Sequence, residues 1–307
     1  MDFVDGNMLD PWISYSNDSK EELVVKLAEY CADIFSQSFD TIGGLRYNPP
    51  ASPLTTAIIL WSVLATMFIA PHLLLVALIM WAFFSKRLST SRSRYRPDCM
   101  SRQDYQFTDY LTPRGPFRNS HEWLRARLEA CLTRYASDPA IVDFAHRMIR
   151  GLPVLFPADI SEMTVLYHHD IHVGNVLIGT DGKPVAIIDW ESVSVLPAWM
   201  ACQPPVVCSR GREMAKPEED LDSSWYDNDM YQYEMYHIYR PIFDQTMERI
   251  QPRWMEIFRR CELEREFEER LGFLEAGSSP DESTLSYWDD FEEDVRIRGP
   301  MFHLWTK

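Results

Sequence analysis

Apolar residues recur at helical spacing near the start of the chain. Leu23, Leu27, Tyr30, Cys31, Ile34 and Phe35 share one face. Ser19 and Glu22 form a capping box, so the pattern predicts an amphipathic, core-packing helix over residues 19–38. A second helix is predicted from the cap signal at Asn119 and Glu122, through Trp123, Leu124, Ala126, Leu128 and Leu132, to about Ser137. A third is predicted from Pro139 through Arg150, with proline at its start and Gly151 just past its end. Strand signals first appear at Thr164–Tyr167, Val176–Ile178 and Val185–Ile188. The last two are joined by Thr180-Asp181-Gly182-Lys183, a turn with a glycine available for positive φ. From Trp199 onward the pattern is of helices and loops, and the charged run Glu256–Arg270 reads as a solvated helix face.

One segment departs from these periodicities. No charged residue lies between Tyr47 and Ser85, and Leu54 to Phe84 is almost continuously apolar. About 20 helical residues cross a hydrocarbon core of roughly 30 Å, so residues 47–85 are expected to form one tilted or kinked transmembrane helix, interrupted at Pro71 and His72. Lys86, Arg87, Arg92, Arg94 and Arg96 follow directly. The positive-inside bias then places everything after Lys86 in the cytoplasm, anchored to a membrane by a single span. The competing reading is that an intron within residues 50–107 has been translated. Residues 86–110 read as a basic, polar linker.

The composition is that of a folded protein: 307 residues, 46% hydrophobic and 25% charged, which excludes wholesale disorder. A net charge of −16 opposes binding to phosphate backbones, so nucleic acid is not an expected partner. The acid is concentrated late, with 24 acidic and 11 basic residues from Glu213 onward. Six scattered cysteines without a C-x-x-C pair fit neither a zinc site nor a disulfide framework, and are expected to be reduced and buried. The acidic N-terminus has no signal-peptide pattern.

The chemistry concentrates in Tyr167-His168-His169-Asp170-Ile171-His172-Val173-Gly174-Asn175, followed by Ile187-Ile188-Asp189-Trp190-Glu191. A strand, a polar loop, a tight hairpin and a second acidic turn form the layout of phosphoryl-transfer sites. There an aspartate orients or deprotonates the attacking hydroxyl, while an asparagine and a second aspartate offer hard oxygens to Mg²⁺.

His168-x-Asp170-x4-Asn175 with Ile188-Asp189-Trp190-Glu191 resembles the aminoglycoside phosphotransferase and choline kinase family, with His169 and Val173 departing from the usual glycine and proline. Arg114-Gly115-Pro116-Phe117, Glu122-Trp123-Leu124, Leu196-Pro197-Ala198-Trp199 and Cys202-Gln203-Pro204-Pro205 resemble its large fungal branch. The resemblance implies Asp170 as catalytic base, Asn175 and Asp189 as magnesium ligands, and His168, His172 and Glu191 as loop supports. It also implies Mg²⁺ and ATP as cofactors and a small-molecule substrate. The acidic tail is expected to favour a cationic substrate, with Trp225, Tyr226, Tyr231, Tyr233, Tyr236 and Tyr239 as lining or, alternatively, as core.

The implied fold is α+β: a kinase-like C-terminal lobe, mainly helical, with a small catalytic β-hairpin. Residues 1–46 would begin that lobe and residues 111–307 complete it, with the apolar segment and linker between them. No G-x-G-x-x-G loop or strand lysine paired with a helical glutamate is found in the sequence. The nucleotide-covering N-lobe is therefore expected to be missing, and phosphotransfer to a small-molecule hydroxyl to be weak or absent. The alternative is a non-catalytic, membrane-anchored kinase-like remnant that acts by binding.

Overall fold

The computed structural model describes residues 7–8, 12–47, 88–91, 115–190, 193–209, 211, 213–217, 226–298 and 302–304. Strand β1 (Asn7–Met8) precedes helix α1 (Asn17–Phe35). The cap of α1 is Ser16, whose hydroxyl accepts from the Ser19 amide at 3.2 Å, in place of the box expected at Ser19 and Glu22. Glu22 is engaged elsewhere: its carboxylate accepts from Lys183 Nζ at 2.7 Å, tying α1 to the hairpin turn. Short strands β2 (Ser38–Phe39), β3 (Gly43–Tyr47) and β4 (Leu88–Ser91) follow.

Helix α2 (Ser120–Arg134) starts where its cap predicts, the Asn119 side chain accepting from the Glu122 amide at 2.9 Å. Helix α3 (Pro139–Leu155) runs through Gly151 and Pro153 rather than stopping at Arg150. Its buried stripe of Ile141, Phe144, Ala145, Met148 and Leu152 continues to Leu155, and that burial outweighs the local breakers. Next come β5 (Thr164–His168), β6 (Val176–Ile178), β7 (Pro184–Ile187) and β8 (Val193–Pro197). The remainder is helical: the short turns α4 (Ala198–Ala201) and α5 (Val206–Ser209), then α6 (Tyr226–Glu234), which passes through one π turn (Met235–Tyr239) into α7 (Arg240–Ile250). Helices α8 (Pro252–Arg260), α9 (Glu262–Glu275) and α10 (Glu282–Arg298) complete it.

The strands form two antiparallel sheets, one of order β1-β6-β7 and one of order β2-β5-β8-β3-β4. Helix α1 packs on β5 and α7, with Leu23, Val24, Leu27 and Ala28 all buried, so β5 is backed by α1. Helices α2, α3 and α9 pack together on the other side of the core. The run Glu256–Arg270 is not one solvated face. It breaks at Cys261, and Glu264 and Glu268 are buried. Arg127 is the reason for Glu268: only 2% exposed, it bonds Glu268 at 2.9 Å and Glu275 at 2.7 Å, with its guanidinium over the Trp123 ring. Cys31, Cys131, Cys202, Cys208 and Cys261 are buried and form no disulfide, as expected; Cys99 lies outside the described residues.

The fold is thus a helix-rich α+β structure with small sheets, and the transmembrane helix expected within it requires correction. Leu54–Phe84 lies outside the described residues, and among those described no helix is long and apolar enough to cross a membrane. The flanks of the apolar run carry the physical reason. A single span separates its two ends by the thickness of the bilayer, whereas Tyr47 pairs directly with Leu88, and Arg46 with Ser89, in one ladder. Both flanks belong to the same sheet, in which β3 also pairs with β8. This geometry contradicts the single-span anchor and the membrane localisation built on it.

Candidate active site

The hairpin β6–β7 is closed by backbone geometry. Gly182 takes φ +79°, the Gly179 amide donates to Lys183 O at 2.8 Å, and Val176 pairs with Ile187 at the opposite end. Just beyond that open end, the Ile188 amide donates to Asn175 O at 2.9 Å. Asn175 and Asp189, fourteen positions apart in sequence, are therefore delivered to one edge of the hairpin. Asp189 is exposed and takes φ 64°, the positive-φ, non-glycine residue among those described. The left-handed conformation costs an L-residue roughly 1 kcal/mol, and such strain is characteristic of residues held for a purpose.

Asp170 lies in the loop between β5 and the turn Val173–Asn175. Its carboxylate is about half exposed, and its backbone is held closely. Asp170 O accepts from the Asn175 side-chain amide at 2.9 Å and from the His172 amide at 3.1 Å. The same Asn175 nitrogen reaches Asp170 Oδ2 at 3.4 Å. With its nitrogen committed to Asp170, the Asn175 side chain presents its oxygen away from that contact.

The two loop histidines have assignable tautomers. The Asp170 amide can only donate, so His168 Nδ1 accepts at 3.2 Å and His168 Nε2 carries the proton to Ile188 O at 3.1 Å. Burial pushes the pKa of His168 down, against opposing contributions from the Ile188 contact, Asp170 and Asp189, so the ring is held neutral. The Trp190 indole packs edge-on against it with centroids 5.0 Å apart, and its own N–H is spent on Ile187 O at 2.7 Å. His172 Nδ1 likewise accepts from the Gly174 amide at 3.0 Å, placing its protonated Nε2 3.6 Å from Asp170 Oδ2, an electrostatic contact. His169, where the resembling family has glycine, packs edge-on to Tyr167, and burial lowers its pKa to about 4. His168, Asp170, His172, Asn175 and Asp189 are thus gathered around one end of the hairpin, and Glu191 lies outside the described residues.

The donor set suits a hard cation with a small share of protein ligands. Among the described residues no group of three or more His, Cys, Asp or Glu side chains could hold a metal ion. Mg²⁺ needs no such group: it takes one or two protein oxygens and completes its shell with water and phosphate oxygens. The Asn175 side-chain amide and the Asp189 carboxylate carry oxygens of that kind.

Residues 98–200 match the phosphotransferase enzyme family, APH. The match spans about a third of the chain and contains the whole of the site just described, from β5 to Asp189. It supports a kinase-like phosphotransferase family for this region. No curated protein and no solved structure matches the chain.

Some of the supporting residues are not visible in the motif. Ile188 serves through its two backbone groups, which no side-chain pattern records. The aromatic run of α6 is partly structural. Trp12 meets Tyr231 and Tyr239 edge-on, and Lys20 places its ammonium 5.2 Å from the Trp12 ring while bonding Glu234 at 2.8 Å. The cation over that aromatic face is the protein's own. Trp225 lies outside the described residues.

Proposed function

We infer that this protein transfers a phosphoryl group from ATP to a hydroxyl of a small molecule. The observation that carries the reading is the meeting of Asp170, Asn175 and Asp189 at one end of the β6–β7 hairpin, with the two later residues coupled by the Ile188–Asn175 bond. Asp170 orients the acceptor hydroxyl and takes its proton as the new oxygen–phosphorus bond forms and the bond from the γ-phosphorus to the bridging oxygen breaks, ADP leaving. Asn175 Oδ1 and the Asp189 carboxylate would hold Mg²⁺, which, bound with ATP, supplies the charge neutralisation that phosphoryl transfer needs. His168 carries no proton in the reaction. It fixes the Asp170 backbone to the Ile188 carbonyl, and so keeps base and metal ligand in register.

The fungal branch of the family and its helical lobe are the finer placement we favour, on the Gly115-Pro116-Phe117 and Leu196–Trp199 segments. A net charge of −16 favours a cationic acceptor such as an amino sugar or a choline-like amine. Without a glycine-rich phosphate loop in the sequence, turnover is expected to be slow. The test is Mg-ATP consumption across a panel of amino sugars and amino alcohols. Acceptor-dependent turnover that is lost in Asp170→Asn supports the reading. Turnover that survives in Asp170→Asn, or none with any acceptor, refutes it.

A further inference from the structure

The Asp170 loop is braced from within by His168, His172 and Asn175, but the next residue is held from outside. Ile171, 2% exposed, offers its carbonyl to the Val207 amide at 2.9 Å. Val207 belongs to the single turn α5, which is too short to fix its own position. Its carbonyl in turn accepts from the Tyr231 hydroxyl at 2.7 Å. Tyr231 comes from α6, 24 residues further on, and its ring is gripped edge-on by Trp12 at 5.7 Å. Trp12 is itself fixed, 5% exposed with its indole N–H on Glu234 at 2.9 Å. The backbone of one residue, Val207, therefore joins a well-anchored phenol to the carbonyl of Ile171, the residue that follows Asp170.

We propose that Tyr231 is a positioning residue for Asp170, acting through Val207 and Ile171. The proposal rests on the phosphotransferase reading for its catalytic consequence, but its physical content is the restraint on the loop. Tyr231 touches no reacting atom. Its hydroxyl limits the excursions of the Ile171 carbonyl, and a small displacement of a base from its acceptor hydroxyl is costly in rate.

Tyr231→Phe retains the ring against Trp12 and deletes only the hydroxyl. The experiment is residue-resolved amide exchange on the full chain without nucleotide, paired with steady-state kinetics. The expected result is exchange at the Val207 amide faster by about tenfold, the scale of one hydrogen bond, with α3 amides unchanged. The kinetic counterpart is a fall in kcat of about tenfold at unchanged KM for ATP. Unchanged exchange at Val207, acceleration spread through the helices, or a change in KM alone overturns the proposal. If the wild-type chain transfers no phosphoryl group, the phosphotransferase reading fails by itself, and exchange at Val207 still decides the restraint.

Discussion

His168 Nε2 stands 3.1 Å from the carbonyl oxygen of Ile188, while His168 Nδ1 accepts the amide of Asp170 at 3.2 Å. One neutral imidazole thereby spans the two halves of the site, the loop that carries Asp170 and the turn that carries Asp189. Both contacts need the same tautomer. A lysine, which only donates, cannot reproduce them, and a phenylalanine can reproduce neither.

His168→Phe is accordingly expected to keep the packing against Trp190 while leaving the Asp170 amide and the Ile188 carbonyl without their partner. We expect a loss of about 1–3 kcal/mol in urea unfolding, and a larger fall in kcat than in nucleotide affinity. A variant as stable as wild type would show that the ring is no brace.

Asp170→Asn is expected to fold with unchanged thermal midpoint, because the carboxylate is half exposed and its backbone contacts remain. Acceptor-dependent turnover should fall by about 10² to 10⁴-fold, the usual share of a general base. Initial rates together with a melting curve check both halves of the statement.

Asp189 allows strain and chemistry to be separated. At φ 64°, glycine is at ease and alanine is not. Asp189→Gly should therefore exceed Asp189→Ala in stability by about 1 kcal/mol, while both lose Mg²⁺-dependent nucleotide binding equally. Calorimetric titration of Mg-ATP into the two variants, beside their unfolding curves, measures the pair.

Glu162 predicts a pH effect away from the site. It is buried, its two oxygens accepting from the Ser120 amide at 2.8 Å and the Ser120 hydroxyl at 2.6 Å. Burial outweighs those bonds and raises its pKa to about 7. The folded state thus holds a proton that the unfolded chain releases near pH 4.5. The stability it contributes is fully present below about pH 4.5 and is lost as pH rises to about 7, by up to about 3 kcal/mol. Glu162→Gln should remove that downward slope, as read from unfolding curves between these limits.

Arg127 sits between Glu268 and Glu275 in the helical core. Arg127→Met leaves two buried carboxylates without their cation and should destabilise by about 3–5 kcal/mol. The triple variant with Glu268→Gln and Glu275→Gln should recover much of it, which a denaturant series would show.

The motif, the hairpin and its turn were legible because each is local. The glycine of the turn and the period-two runs of β6 and β7 lie within a dozen residues. The cap at Asn119 was legible for the same reason, since a side chain three residues from its amide needs no tertiary help. The end of α3 was not, because burial of Leu152 and Leu155 overrode Gly151 and Pro153. Strands β2, β3 and β8 escaped notice because they are short and find their partners far away, β5 meeting β2 at Ser38 and β8 at Leu196. The apolar run read as a membrane span because hydropathy carries no information about where its two ends must meet, and Tyr47 meets Leu88.

By itself the sequence determined the chemistry on offer: one aspartate, one asparagine and a second aspartate at the spacing of a strand, loop and hairpin. It also determined the acidity of the molecule, since charge is additive along a chain. Tertiary structure decided how those groups are held. The tautomer of His168, the left-handed backbone of Asp189, the raised pKa of Glu162 and the reach of Tyr231 to Val207 all depend on neighbours brought from distant parts of the chain. Hydrogen bonds and burial act over a few ångströms of space, whatever the separation in sequence.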